Sequence, residues 1–331
     1  MKIVVIRFSS LGDCVLLCPL FSHLKRAGAS EVVVVTKRAY ADLFSHTAGV
    51  DRVVAIESGA SLSDLARIGR LFRDDYVVID AHANPRSRVV SGAAGGARAR
   101  FRKFYFQRAG LIVFKRPAVL PTMLEQYAYL AQRAGFTATT LTPGGIRVPP
   151  DQQEQAARRV GENPAVAVAP GSRWRAKRWT GFRALCDGIA ASGRRVVLVG
   201  DARDRAFTAP IAAALGNVCI DAAGEPSLMQ TAALIARCES FVGNDSGLMH
   251  LAEAVGVPVV SLFGPTVRAF GYAPSLANSV VVERNLACRP CSRNGAAPCP
   301  KRNYECLEKI GAEDVLATVL GPRRERVRVV D

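Results

Sequence analysis

Between Ala81 and Leu124 the sequence contains no acidic residue at all, against nine lysines and arginines. Acid is scarce elsewhere too: 28 Asp and Glu face 44 Lys and Arg over 331 residues, a formal net charge of +16. The shortfall is uneven, with 10 acidic and 21 basic side chains in residues 1–150 but 18 and 23 in residues 151–331. Such a field favours an anionic partner on the N-terminal half, whether a phosphorylated substrate, a nucleic acid or a membrane surface. No apolar run approaches the roughly 20 residues that span a bilayer. Nor does an export signal open the chain: Met1-Lys2 leads straight into Ile3-Val4-Val5-Ile6, and the next apolar run, Val15–Phe21, follows Asp13 and contains Pro19. The expectation is a cytoplasmic protein. Nine cysteines are an odd number for a disulfide framework and are expected to be thiols. Low hydrophobicity is not among the deficits; 49% apolar residues exclude a disordered tail protein.

Two nucleotide-binding signatures are missing as well. No G-x-G-x-x-G follows the first apolar run, which counts against a nicotinamide oxidoreductase, and no G-x-x-x-x-G-K-[ST] spacing occurs. The basic segment has no recognisable helix-turn-helix or RNA-binding motif, so no nucleic acid partner is expected.

What is present is an alternation of short apolar runs and helical stretches, twice over. Strands are predicted at Lys2–Phe8, Val32–Thr36, Val53–Ile56 and Tyr76–Asp80, with helices at Gly12–Arg26, Tyr40–Ser45 and Leu62–Phe72. Ala93–Arg116 is Gly-rich and basic and receives no assignment. After a Pro/Gly/polar stretch, Thr142–Pro150, the alternation restarts. Strands at Ala165–Ala169, Arg195–Val199, Val218–Ile220, Ser240–Val242 and Val257–Phe263 are separated by helices at Thr180–Ser192, Ala202–Leu215, Ser227–Cys238 and Gly247–Val255. Thr180 is the expected cap of the first of these and Gly193 its stop. Strands separated by helices of this length make βαβ units and parallel sheets, hence an α/β protein of two Rossmann-like domains, 1–148 and 149–310. Ligands of such sheets bind at the carboxyl ends of strands, so the loops there carry the chemistry.

The first such loop is Arg7-Phe8-Ser9-Ser10-Leu11-Gly12-Asp13. Asp13, in the first helical turn, either complements the helix dipole or serves as a general base toward a substrate hydroxyl. The second is Pro170-Gly171-Ser172-Arg173-Trp174-Arg175-Ala176-Lys177-Arg178-Trp179, either a solvated basic loop or a diphosphate site. The third, Gly243-Asn244-Asp245-Ser246-Gly247-Leu248-Met249-His250, turns a strand into a helix whose N-terminal amides suit a phosphate. Phe263-Gly264-Pro265-Thr266 ends the next strand. Finally, Cys288, Cys291, Cys299 and Cys306 fall within 19 residues, either as a structural zinc site or as packed free thiols.

The stretch Ile6–Asp13, the Gly243–Leu251 loop with Pro258, the Phe263–Thr266 turn and the four-cysteine cluster followed by Ile310 together resemble the bacterial ADP-heptose:lipopolysaccharide heptosyltransferases, family 9 of the glycosyltransferases. The resemblance implies a GT-B fold with an acceptor-binding N-terminal domain, a donor-binding C-terminal domain and a final helix, about 311–331, packing back on the first. It implies inverting transfer of a heptose from ADP-L-glycero-β-D-manno-heptose to the inner core of lipopolysaccharide, with Asp13 as base. Ser172, Arg173 and Lys177 would hold the diphosphate, Asp245 the transferred sugar, and Ser246, Gly247 and His250 the donor phosphates. Ser10 and Gly12 would face the acceptor. Arg86, Arg88, Arg98, Arg100, Arg102 and Lys103 would meet the carboxylates and phosphates of a Kdo-lipid A type acceptor, with peripheral contact to the anionic inner face of the inner membrane. No cofactor is required for that chemistry. A non-catalytic nucleotide or carbohydrate binder, or a member using another nucleotide sugar, stands as the alternative.

Overall fold

The computed structural model describes residues 1–116, 118, 120–322 and 327–330. It divides into two units, Met1–Lys103 with Pro121–Arg147, and Phe104–Leu120 with Val148–Asp331.

The first unit starts with β1 (Lys2–Ile6), in which Ile3, Val4, Val5 and Ile6 are all fully buried. A continuous apolar run is what a strand covered on both faces needs. Then come α1 (Leu11–Arg26), β2 (Glu31–Lys37), α2 (Ala41–Ser45), β3 (Arg52–Ile56), α3 (Leu62–Arg70), β4 (Tyr76–Asp80), α4 (Pro85–Ala93) and β5 (Ala99–Arg100). The strands pair in parallel in the order β3-β2-β1-β4-β5. Ile6 lies opposite Val35 on one side and Asp80 on the other. The strand order therefore reverses at β1 and β4, and a crevice opens outside their carboxyl ends. α5 (Tyr105–Phe114) belongs to the second unit, whereas α6 (Met123–Arg133) returns to the first and packs on α1. Thr122 and Glu125 start α6 with a capping box, each satisfying an N–H of the other's residue.

The second unit continues with α7 (Pro150–Val160), β6 (Ala165–Ala169), α8 (Phe182–Ala191), β7 (Arg195–Gly200), α9 (Arg205–Leu215), β8 (Cys219–Ala223), α10 (Leu228–Ala236), β9 (Ser240–Asn244), α11 (Gly247–Ala254), β10 (Val259–Phe263), β11 (Val280–Glu283), α12 (Glu305–Glu308), α13 (Ala312–Leu320) and β12 (Val327–Val329). Its parallel sheet runs β12-β11-β10-β9-β6-β7-β8. Here the order reverses between β6 and β9, where Ala169 lies opposite Gly243. Each unit is thus a Rossmann-like parallel α/β sheet.

Two expectations are corrected. Thr180 does not cap α8; Gly181 does, and the Thr180 hydroxyl instead donates to Glu308 Oε2 at 2.5 Å. α13 lies on α8, with Val315 and Val319 buried in the core of the second unit. Leu316 there occupies the space a Cβ on Gly188 would need, at 2.5 Å. Only Ala312–Leu320 of the expected 311–331 helix is helical; Val327–Val329 pairs with β11, and 323–326 and 331 lie outside the described residues. The unassigned stretch 93–116 contains the two-residue strand β5 and the ten-residue helix α5.

Candidate functional site

In the first unit the loop that leaves β1 is organised around Asp13. Ser10 caps α1, and both its N–H (3.2 Å) and its hydroxyl (2.7 Å) donate to Asp13 Oδ2. The same oxygen meets Arg7 Nη2 at 2.6 Å, a charge-assisted contact between two nearly buried side chains. Arg7 is itself held, donating through Nη1 to the Ala81 carbonyl at 2.5 Å and lying over the Phe101 ring. Tyr127, on α6, donates to the Asp13 carbonyl at 3.2 Å. The helix-capping role of Asp13 is thus real, and the same contacts fix the orientation of its carboxylate.

His82 follows β4, the strand on the other side of the reversal, and its ring packs against Phe8 at 5.2 Å. Burial, with help from the nearby Arg7 and Lys103 cations, lowers its pKa to about 4, against opposing effects from Asp13 and the Ser9 backbone. The imidazole is neutral at pH 7 as a result. Ser10, Gly12 and Asp13 lie in the one turn that opens α1. Of the six predicted basic residues, Arg86 is tied to the Ala60 carbonyl at 2.5 Å and Arg100 lies 3.5 Å from the buried Asp80. Arg88, Arg98 and Arg102 are exposed, and Lys103 is half-buried.

In the second unit the loops after β6 and β9 meet. Asn244, fully buried, donates through Nδ2 to the Pro170 and Gly171 carbonyls (3.0 and 3.1 Å) and accepts from the Trp179 N–H at 3.1 Å. That side chain staples the two loops. Next to it Lys177 Nζ lies 2.5 Å from Asp245 Oδ2 and 3.0 Å from the Asp245 carbonyl. Thr266, after β10, donates to Asp245 Oδ2 at 2.7 Å. Burial would raise the Asp245 pKa, but Lys177, Thr266 and His250 outweigh it and the net direction is downward. Asp245 is a buried anion, and Lys177, predicted to hold a diphosphate, is its counter-ion here. Ser246 starts α11 without using its side chain as a cap, and Ser246 and Gly247 are partly exposed while His250 is buried. Ser172 is partly exposed; Arg173 is exposed and stacks over Trp174 at 4.9 Å.

Three contributors escape the sequence reading. Arg7 closes an apolar run, a visible signal, but its pairing with Asp13 is tertiary. His82 stands directly after a strand. Gly295, with φ +85°, passes so close to the Lys177 stem that a Cβ would come within 2.6 Å of Cγ.

For the four cysteines the sequence left two readings, a structural zinc site or packed free thiols. Cys288, Cys291, Cys299 and Cys306 are all free thiols, and no group of three or more His, Cys, Asp or Glu among the described residues is arranged to hold a metal ion. Burial raises the Cys291 thiol and pushes Cys306 up to about 11, whereas at Cys299 burial is outweighed by backbone hydrogen bonds from the 301–304 turn and the net direction is downward.

Each unit therefore carries a cation-paired carboxylate, Asp13 with Arg7 and Asp245 with Lys177, where the strand order of its parallel sheet reverses. The family model for glycosyltransferase family 9 (heptosyltransferase) matches residues 78–301, and the chain belongs to that family. It is similar to lipopolysaccharide heptosyltransferase 2 of Escherichia coli K12, 28% identical over 322 residues, 90% of this chain and 92% of that one. Lipooligosaccharide heptosyltransferase 2 of Haemophilus influenzae is 33% identical over 153 residues, 42% of this chain and 44% of its own length. The solved structure of the E. coli ADP-heptose LPS heptosyltransferase II superposes with a TM-score of 0.70 at 25% identity, covering 97% of this chain and 100% of that one.

Proposed function

We propose that this chain transfers a heptosyl group from ADP-L-glycero-β-D-manno-heptose to the inner core of lipopolysaccharide, with inversion at the anomeric carbon. Its family membership and its likeness along nearly the whole length to a lipopolysaccharide heptosyltransferase support the reaction class. The observation that carries the assignment of roles is the pair of carboxylates, Asp13 and Asp245, each oriented by a cation at the reversal of its own sheet.

In this reading the acceptor hydroxyl oxygen attacks the anomeric carbon while the bond to the ADP oxygen breaks. The electron pair leaves with ADP, and the hydroxyl proton goes to Asp13. Arg7 and Ser10 hold that carboxylate in place, so little reorganisation accompanies the transfer. The charge that develops on the leaving diphosphate is met by Lys177, Arg173, the Ser172 hydroxyl and the amides that open α11 at Ser246 and Gly247. Asp245, with Thr266 behind it, accepts hydroxyls of the transferred sugar. His250, one turn into α11, lines the donor phosphates with Ser246 and Gly247. No cofactor is assigned. The exposed arginines after β4 and β5 face an acceptor bearing carboxylates and phosphates, reached at the cytoplasmic face of the inner membrane.

Calorimetric titration with ADP, against GDP, UDP and NAD⁺, tests the donor half. Selective ADP binding weakened by K177A supports the reading; preference for NAD⁺ or indifference to the substitution defeats it. Transfer assayed with ADP-heptose and a Kdo-bearing acceptor tests the rest, and ADP binding without any transfer would favour a non-catalytic binder.

A further inference from the structure

The helix α5 has ten residues, Tyr105–Phe114, and one charged side chain, Arg108, which is turned inward. Arg108 donates to the Phe270 carbonyl at 3.1 Å and lies over the Tyr272 ring. Leu111 is buried beside Leu120 and Phe270, and Ile112 packs against them. The inner face of the helix is therefore packed against the rest of the second unit. The outer face is apolar all the same: Phe106 is 91% exposed, Phe114 67%, Val113 66% and Tyr105 53%. At 100° per residue Phe106, Ala109, Gly110 and Val113 form one stripe, with Phe114 on its flank. An exposed apolar stripe of this kind calls for a partner.

Cations edge it. Arg102 and Lys103 lead the chain into the helix; Arg116 follows it, over the Phe114 ring at 5.6 Å, and the exposed Arg293 lies over the Tyr105 ring at 5.4 Å. With no acid between residues 81 and 124, two copies of this face would repel one another rather than pair. An aromatic stripe edged by arginines is complementary to a bilayer with anionic headgroups, where the rings enter the interface and the guanidinium groups meet phosphate. We propose that the outer face of α5 docks the protein on anionic phospholipid. The inference rests on exposure and charge and is independent of the transfer reaction.

The full chain is floated with vesicles of phosphatidylcholine alone or of equal parts phosphatidylcholine and phosphatidylglycerol, at low and high salt. Binding is expected only to the anionic vesicles and is weakened by salt. F106S/F114S, which removes no buried contact, should keep the wild-type melting temperature and bind about tenfold more weakly. R116E and R293E should each cost about fivefold. In a second readout, the fluorescence of F106W should be quenched by brominated lipid. Flotation that F106S/F114S leaves unchanged, or no flotation of the wild type, overturns the proposal. So does sedimentation showing a dimer that the same double variant dissolves, which would give the face to a second copy of the chain.

Discussion

Lys177 and Asp245 meet at 2.5 Å between the loops that follow β6 and β9, the two strands at which the order of the second sheet reverses. Neither side chain has more than a small fraction of its surface in water. The Coulombic attraction must offset the desolvation of both, and Thr266 and the Asp245 carbonyl supply the additional hydrogen bonds that make this possible.

Breaking such a pair from one side leaves a buried charge. D245A is expected to cost about 3 to 5 kcal/mol of folding stability, measured by urea denaturation. The double variant D245A/K177A should cost less than the sum of the two single ones. The depressed folded pKa of Asp245 fixes the sign of the pH effect. Its stabilisation is complete above the unfolded carboxylate pKa and is lost as pH falls through the lower folded value, so D245A should flatten the acid limb of the stability profile. Additive single costs would mean that the two charges are not coupled.

At Asp13, capping and chemistry share one carboxylate, and substitutions can separate them. D13N keeps most of the shape of the cap but cannot accept the hydroxyl proton. Transfer should fall by about a hundredfold to ten-thousandfold, while ADP affinity stays within a few-fold. R7A should also lower transfer, because Arg7 meets Oδ2 from the strand side and fixes the direction of the carboxylate. Turnover in D13N comparable with wild type would remove the base from Asp13.

The strands were legible because buried parallel strands have to be unbroken apolar runs, and Ile3–Ile6, Val32–Val35 and Val196–Val199 are such runs. α5 was not, and its own proposed function explains why. With Phe106, Val113 and Phe114 outward and Arg108 inward, its polarity is inverted relative to an ordinary surface helix. α6 could have been read from its Thr122–Glu125 capping box. α13 was visible as a helix, but Val315 and Val319 carry no mark of which core they enter; the missing Cβ of Gly188 decides it. In the site, Asp13, Lys177 and Asp245 stood out by residue type and loop position. Their counter-ion relationships, Arg7 to Asp13 and Lys177 to Asp245, arise between loops brought together by the sheet order, which no local pattern encodes.

His82 offers a test of the first unit by pH alone. Its folded pKa of about 4 lies below the unfolded value near 6.5, so its contribution is fully present above the unfolded pKa. Between pH 6.5 and 4 the unfolded chain takes up a proton that the folded chain refuses, and stability falls. H82Q should remove that part of the loss, about 1 to 2 kcal/mol after allowing for the solvent that reaches the ring. Melting temperatures across the same range measure it. A His82 resonance titrating near 6.5 by NMR would show that burial and the Arg7 field do not act on the ring as the geometry requires.

Gly295 governs the position of Lys177 from above. Its φ of +85° is one that side chains adopt at a cost of about 1 to 2 kcal/mol, and a Cβ there would stand 2.6 Å from Lys177 Cγ and 2.9 Å from Cδ. The lysine stem is the part of that contact nearest its backbone, so it cannot swing clear while Nζ stays on Asp245. G295A should therefore displace the ammonium and weaken ADP binding about fivefold to tenfold, the size of one ordinary net hydrogen bond. If the loss acts through Lys177, K177A/G295A should bind ADP no more weakly than K177A alone. Two full, additive losses would mean that Gly295 shapes the nucleotide site through the loop backbone rather than through the lysine.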